Sequence, residues 1–267
     1  RRPPRSTQGV SSAASDVYKR QLLTICLTFS FAVIADDHVE DKPKYTPNKA
    51  EYYISTFKEG KDMDDMMRWS KEWAKWASKG DAGEAFKEYR ASMLVPMYGN
   101  NLNSVDFIWL GITPNPEEQY KGNDYWFTNG NDLLKKLPVN NNQVIDTWQR
   151  TVSETPDGNA GYVVYSDCKL GEDVKMVDFY DAYFAYAEAA KKLGDVAGRK
   201  LIWPGAGTRS EWDYDFVQAV FTSTIADYGK NWVNFWENSE EMPELQALQA
   251  LGGSCANERT FGVIPVK

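Results

Sequence analysis

The sequence predicts an α+β fold in which one βαββαβ unit occurs twice. Two observations carry this. First, segments of the first half recur in the second half in the same order. Phe57-Lys58-Glu59-Gly60-Lys61-Asp62-Met63 matches Cys168-Lys169-Leu170-Gly171-Glu172-Asp173-Val174 at an offset of 111, and Asp106-Phe107-Ile108-Trp109 matches Asp215-Phe216-Val217-Gln218 at 109. Pro96 and Pro204, Tyr120 and Tyr228, Asn123 and Asn231, and Phe127 and Phe235 pair at 108. A slow drift of offset with preserved order is what changes of loop length in a duplicated unit leave behind. Second, segments of strand period and segments of helix period alternate in the same sequence in both halves.

The elements can be taken in order. Tyr52 to Phe57 and Tyr162 to Cys168 are rich in β-formers and end at polar turns holding Gly60 or Gly171. Asp62 and Asp173 then stand where a helix N-cap belongs. In the helix that follows, Met66, Trp69, Trp73 and Trp76 recur at spacings of three and four, and Val177, Tyr180, Phe184 and Ala187 are their counterparts. A second strand covers Arg90 to Met97 and Arg199 to Trp203, each broken by a proline-containing loop, and a third covers Asp106 to Ile112 and Asp215 to Phe221. Helices over Glu117–Thr128 and Ile225–Asn238 are each extended by a short one, Asp132–Leu137 and Pro243–Leu251. Val144 to Val152 and Glu258 to Val266 are the last strands. This order, twice, is a ferredoxin-like unit duplicated.

Composition bounds the chemistry. The 267 residues are 42% hydrophobic and 14% aromatic, with ten Trp, enough to bury a large core. A formal net charge of −8 argues against nucleic acid as a partner. With a single histidine, His38, in a charged leader, no His-based triad is expected and no multi-His metal site can be built, and neither a metal nor a cofactor is expected.

Residues 1–21 differ in character from the rest. Asp16-Val17-Tyr18-Lys19-Arg20-Gln21 resembles, codon for codon, the translation of a transposase adaptor used to prepare sequencing libraries, so 1–21 is expected to be an adaptor artefact. Leu22 to Ala35 is an apolar run of 14 residues, too short to span a bilayer and fitted to a signal-peptide h-region cleaved after Ala35. The protein is therefore expected to be periplasmic or secreted, with no stable membrane insertion after cleavage. Removing 1–35 takes away five basic residues and one acid, leaving 25 basic and 37 acidic, a net −12. Residues 36–49 read as a charged leader, 50–157 as the first repeat and 158–267 as the second. Cys168 and Cys255 remain, an even count that suggests one disulfide in an oxidising compartment.

With its Asp-Phe-(Ile/Val) strands leading into aromatic helices (Tyr125-Trp126-Phe127, then Trp232, Phe235 and Trp236), the chain resembles the dimeric α/β-barrel superfamily, here with both halves on one chain. The resemblance covers about residues 50–267 and is a likeness of fold. It implies that the two ferredoxin-like βαββαβ repeats form an intramolecular α/β barrel, and hence a monomer. It also implies that the first and fourth strands of a repeat are antiparallel neighbours, which would bring Cys168 beside Cys255 across 87 residues. Closing that loop stabilises a chain by about 4 kcal/mol in the entropy model. The alternative is two unpaired buried thiols. Members include cofactor-independent monooxygenases, haem enzymes, isomerases and proteins without known activity, so the fold alone assigns no reaction. Haem branches with a proximal histidine find no candidate here, because His38 precedes the barrel.

Strand alternation places Phe107, Trp109 and Gly111 on one side and Ile108, Leu110 and Ile112 on the other. The aliphatic set is expected to pack against helices, which turns Trp109 and its counterpart Gln218 into the barrel. Tyr53, Ser55 and Ser166 are expected to join them in a ligand cavity; the alternative is a filled core. Asp106 and Asp215 read either as a buried acid/base pair or as acceptors for turn N–H groups. Arg90, Arg150, Arg199 and Arg259 could meet an anionic ligand, although salt bridges and cation–π contacts are the commoner use. The expected function is to bind a small apolar or aromatic molecule. The alternatives are a cofactor-independent monooxygenase- or isomerase-like enzyme, and a recognition surface built on exposed tryptophans.

Overall fold

The computed structural model describes residues 46–100, 102–208 and 211–267. The adaptor-like segment, the h-region, Cys26 and His38 lie outside the described residues. The first half runs β1 (Asn48–Phe57), α1 (Met63–Trp76), α2 (Gly80–Ala85), β2 (Arg90–Gly99), β3 (Phe107–Thr113), α3 (Pro116–Asn129), α4 (Asn131–Lys136) and β4 (Val139–Ser153). The second runs β5 (Tyr162–Leu170), α5 (Met176–Lys192), β6 (Gly198–Ala206), β7 (Phe216–Thr222), α6 (Ile225–Asn234), α7 (Pro243–Ala250) and β8 (Gly253–Pro265). β1 starts inside the segment read as leader, and α2 has no counterpart in the sequence reading.

All eight strands pair antiparallel and close into one barrel in the order β1-β3-β2-β8-β5-β7-β6-β4. Each half contributes a run of the same internal order, and β2 with β8 and β4 with β6 join the runs. Closure leaves no strand with unpaired edge groups. Among the described residues, no helix is long and apolar enough to cross a membrane.

Local chemistry explains most boundaries. Asp62 caps α1 in a capping box, with its side chain accepting from Asp65 N–H and the Asp65 side chain returning to the Asp62 N–H. The matching cap at Asp173 does not form: Asp173 sits at φ +60 and Lys175 precedes α5 with no side-chain cap bond. The left-handed turn residue is Gly60 in the first half, whereas Gly171 is needed for another reason. A Cβ there would lie 2.0 Å from the Leu251 carbonyl oxygen. Asp173, a residue type that tolerates this region, holds the left-handed position that Gly60 holds in the first half. The offset here is 113 and not the 111 read from sequence, as it is between the N-cap residues Asp62 and Lys175 and between the Phe57 and Leu170 N–H groups that donate to Asp106 and Asp215. The α1 stripe is as expected, with Met66, Trp69 and Trp73 buried, but Val177 on α5 is exposed and the buried face runs through Tyr180, Phe184, Ala187 and Ala190.

Pro96 and Pro204 lie inside β2 and β6 rather than in loops, each beside a shift of register. A bulge is where a strand tolerates a residue with no N–H. α6 is not one continuous helix to Asn238, because Phe235–Ser239 continues it as a π-helical turn.

The alternation of β3 is as read, but its facing is the reverse. Ile108 and Leu110 point into the barrel with Ala50, Leu94, Val163, Tyr165, Ile202 and Phe261, and Ile112 packs against them. Phe107 and Trp109 point outward against α1, in a cluster with Met66, Trp69, Trp73 and Phe86. Eight strands enclose a space that branched aliphatic side chains fill, whereas the wider gap between sheet and helices needs large rings.

Candidate functional site

The five residues expected to share one interior cavity fall outside the lumen and into two separate places. Tyr53 and Trp109 line the gap between the first half's sheet and its helices. Ser55 is fully buried, its hydroxyl donating to Asn141 Oδ1 of β4 at 2.9 Å. Ser166 and Gln218, register partners on β5 and β7, line the corresponding gap in the second half. The correction is one of facing: period two fixes which residues share a side, but not which side the helices cover.

The first gap is nearly filled. Trp109 meets Trp73 with ring centroids 4.9 Å apart and Trp69 at 5.7 Å, and the Trp69 indole N–H donates to the Leu133 carbonyl at 2.9 Å. A cavity of about 80 Å³ is left. Its polar members form a closed chain: Trp109 Nε1 donates to Tyr89 Oη at 3.2 Å, Tyr89 donates to Glu51 Oε1 at 2.8 Å, and Asn123 donates to Glu51 Oε2 at 3.3 Å. Burial pushes the Glu51 carboxyl above its usual range, and these hydrogen bonds oppose it.

The second gap is open. Gln218 stands where the first half has Trp109, and the α5 side chains that reach this gap are Tyr183 and Tyr186 rather than Tyr180 and Phe184, the counterparts of Trp69 and Trp73 at the sequence offset of 111. A cleft of about 350 Å³ results, within the size range of small-molecule sites. Tyr183 and Tyr186 of α5, whose rings lie 6.3 Å apart and nearly parallel, form one wall. Tyr228 and Trp232 of α6, with Phe235 of the π-helical turn, form another. Gln218 donates to Tyr183 Oη, and burial pushes that phenol up to about 12. At one end, Arg199 pairs with Asp195 at 2.6 Å, both nearly buried. Burial opposes ionisation of Asp195, but the Arg199 hydrogen bonds and charge hold its carboxyl below the usual range. Trp232 is 43% exposed and Trp236 is 62% exposed, so aromatic surface continues outward from the cleft.

Cys168 and Cys255 are register partners on β5 and β8 and form a disulfide, with Cys255 at the edge of the cleft. Asp106 and Asp215 serve as backbone acceptors: Asp106 Oδ2 accepts from Phe57 N–H and Asp215 Oδ2 from Leu170 N–H, both at 2.7 Å. Each also donates its own N–H to the strand it braces, to Ser55 O and Cys168 O. Three of the four arginines are engaged, Arg150 over the Tyr180 ring at 3.6 Å, Arg199 with Asp195, and Arg259 with Asp167 at 2.9 Å. On α1, Trp69 and Trp73 are buried and Trp76 is half-buried, which removes that stripe as a recognition surface. Sequence reasoning missed the tyrosines of α5 and the rings of α6 as cleft walls. The signal that could have found them is the loss of large side chains at matched positions, Trp109 against Gln218.

No protein-family model matches the chain, and no curated protein matches it. Solved structures of similar fold include a heme-binding protein from Thermus thermophilus (8% identity, TM-score 0.43, covering 82% of this chain and 93% of that one). A mutant chlorite dismutase from Candidatus Nitrospira defluvii follows at 10% identity and TM-score 0.45, covering 82% of this chain and 92% of that one. An anthrone oxidase-like protein stands at 8% and 0.43, covering 84% and 92%. At such values, what those proteins bind or do is said of them alone; the class assigned here, a closed α+β barrel with one open helix-covered cleft, rests on this chain's own strand order and side chains. The cleft does not fit a haem held by a protein axial ligand. The described residues contain no histidine, both of their cysteines are in the disulfide, and burial raises the phenols of all three cleft tyrosines, Tyr183, Tyr186 and Tyr228, away from the phenolate a haem iron would need.

Proposed function

We propose that this chain is a secreted or periplasmic barrel protein that holds a small apolar or aromatic molecule in the cleft between β5, β7 and the helices α5 to α7. The observation that carries this reading is the asymmetry between halves: the same gap is packed by four tryptophans, Trp69, Trp73, Trp109 and Trp126, on one side and left at about 350 Å³ on the other. Aromatic walls supply contact area, and a few polar groups on them, the Ser166 hydroxyl and the Gln218 and Asn231 amides, can fix orientation. Binding is favoured over turnover because the Tyr183 phenol, raised by burial, is a poor proton donor near neutrality, and the Asp195 carboxylate is engaged by Arg199. A cofactor-independent monooxygenase- or isomerase-like activity stands second.

Three finer statements belong to the same reading. The halves are ferredoxin-like repeats from a duplication, supported by their common strand order and by the paired roles of Asp106 and Asp215. Export to an oxidising compartment is supported by the Cys168–Cys255 bond. Closure of the barrel within one chain supports a monomer, and light scattering at micromolar concentration is expected to give the mass of one chain; a dimer mass would contradict it.

The cleft is tested by restoring the first half's ring to the second. Titrated calorimetrically with 2-naphthol, the wild-type protein is expected to bind and Gln218→Trp to bind at least about tenfold more weakly, with its melting temperature retained. Equal affinities would contradict the assignment.

A further inference from the structure

The structure also places a lysine in the lumen. Lys200 lies on β6 between Arg199 and Leu201, which face outward, and it shares the inward side with Ile202. It borders a chamber of about 110 Å³ whose walls are mainly Leu94, Leu110, Val163 and Phe221, with Ser92 and Gln149 as further polar members. The floor is the edge-to-face pair Tyr52 and Tyr165, 6.1 Å apart, which divides this chamber from a second one at the other end of the barrel.

Two features distinguish the half-buried Lys200 from the buried Lys49 and Arg199 and the half-buried Arg259. Lys49 has Asp146 at 2.5 Å, Arg199 has Asp195 and Arg259 has Asp167. Lys200 has no carboxylate within salt-bridge distance among the described residues, and its near partner is Gln149 Oε1 at 3.4 Å. That acceptor is held in place, because the Gln149 amide donates to Tyr52 Oη at 2.7 Å. A cation in an apolar chamber with a preset acceptor and no counter-ion lacks one component, an anion.

We propose that this chamber is a second binding site, distinct from the cleft, for a small monocarboxylate with a short branched apolar body. The Lys200 ammonium meets the carboxylate, the Ser92 hydroxyl and Gln149 amide flank it, and the aliphatic wall takes the body. The volume restricts that body to the size of a short branched acyl group. Burial brings the Lys200 amine down to about 8, in keeping with a charge that has no partner. The titratable groups bordering it are the phenols of Tyr52 and Tyr165, both pushed up by burial, and the more distant Glu154, which raises the lysine slightly.

Calorimetric titration of the full chain at pH 7 with isovalerate and with its neutral isostere isovaleramide tests this. The acid is expected to bind at least about tenfold more tightly than the amide, and Lys200→Met, checked for an intact melting transition, is expected to lose that preference. In the wild-type protein, saturating isovalerate is also expected to raise the Lys200 amine pKa read by NMR. Gln218→Trp is expected to leave isovalerate binding unchanged, which separates this site from the cleft. Equal binding of acid and amide, no binding of either, a preference that survives Lys200→Met, an unmoved amine, or loss of isovalerate binding in Gln218→Trp would overturn the proposal.

Discussion

Gly111 shows how little separates a packed gap from a broken one. A Cβ at that position would lie 1.9 Å from the hydroxyl of Tyr89, the phenol that joins Trp109 to Glu51. Gly111→Ala is therefore expected to destabilise the fold by about 3 kcal/mol in urea unfolding, through overpacking and loss of that hydrogen-bond chain. Lys200 gives a pH-dependent counterpart. Its folded pKa of about 8 lies below its unfolded value of 10.5, so the unfolded chain binds more protons between those values. Its contribution to stability rises with pH across that window, and the cost of its buried charge is fully present below pH 8. Lys200→Met is expected to raise stability at pH 7 by about 2 kcal/mol, after allowance for partial solvent access, and to flatten the rise between pH 8 and 10. No gain at pH 7 would show that the amine is well solvated. At this scale the sequence was legible in pairs but not in facing: Trp109 and Gln218 were matched correctly, yet placed on the wrong side of their strands. Alternation has two solutions, and the choice depends on which side the helices cover.

Elements were more readable than single side chains, because each boundary has a local cause. The turn at Gly60, the capping box at Asp62 and the α1 stripe lie within one stretch of chain, and the structure has them as the residues predict. Misreadings arose where a distant segment decides. The Leu251 carbonyl sets the need for Gly171, pairing with β8 and β4 carries β2 and β6 through their prolines, and α6 gives way to a π-helical turn at Phe235. The disulfide is an element-scale staple, tying β5 to β8 at Cys168 and Cys255. Replacing both cysteines by serine is expected to cost about 2–4 kcal/mol in denaturant unfolding, while the barrel persists as judged by circular dichroism. A cost near zero would indicate that strand pairing alone fixes that edge.

The whole molecule is one closed sheet with two helical covers of different character. Element order could be read from sequence and the closed barrel was implied by the fold resemblance that this order carries, while the site could not be read. A cleft is a volume left over after packing, and it depends on the summed sizes of side chains from β5, β7, α5, α6 and α7. Substituting Gln218 for Trp109 in the second half removes one ring, and smaller rings on α5 remove more, so that a cover of the same design encloses about 350 Å³ rather than about 80 Å³. Native mass spectrometry of the protein recovered from an oxidising compartment, run on the wild type and on Gln218→Trp side by side, tests the reading most directly. The wild type is expected to carry a small-molecule adduct of defined mass that the tryptophan variant lacks. A bare wild-type mass, or an adduct retained equally by both proteins, would contradict a ligand in the cleft of the second half.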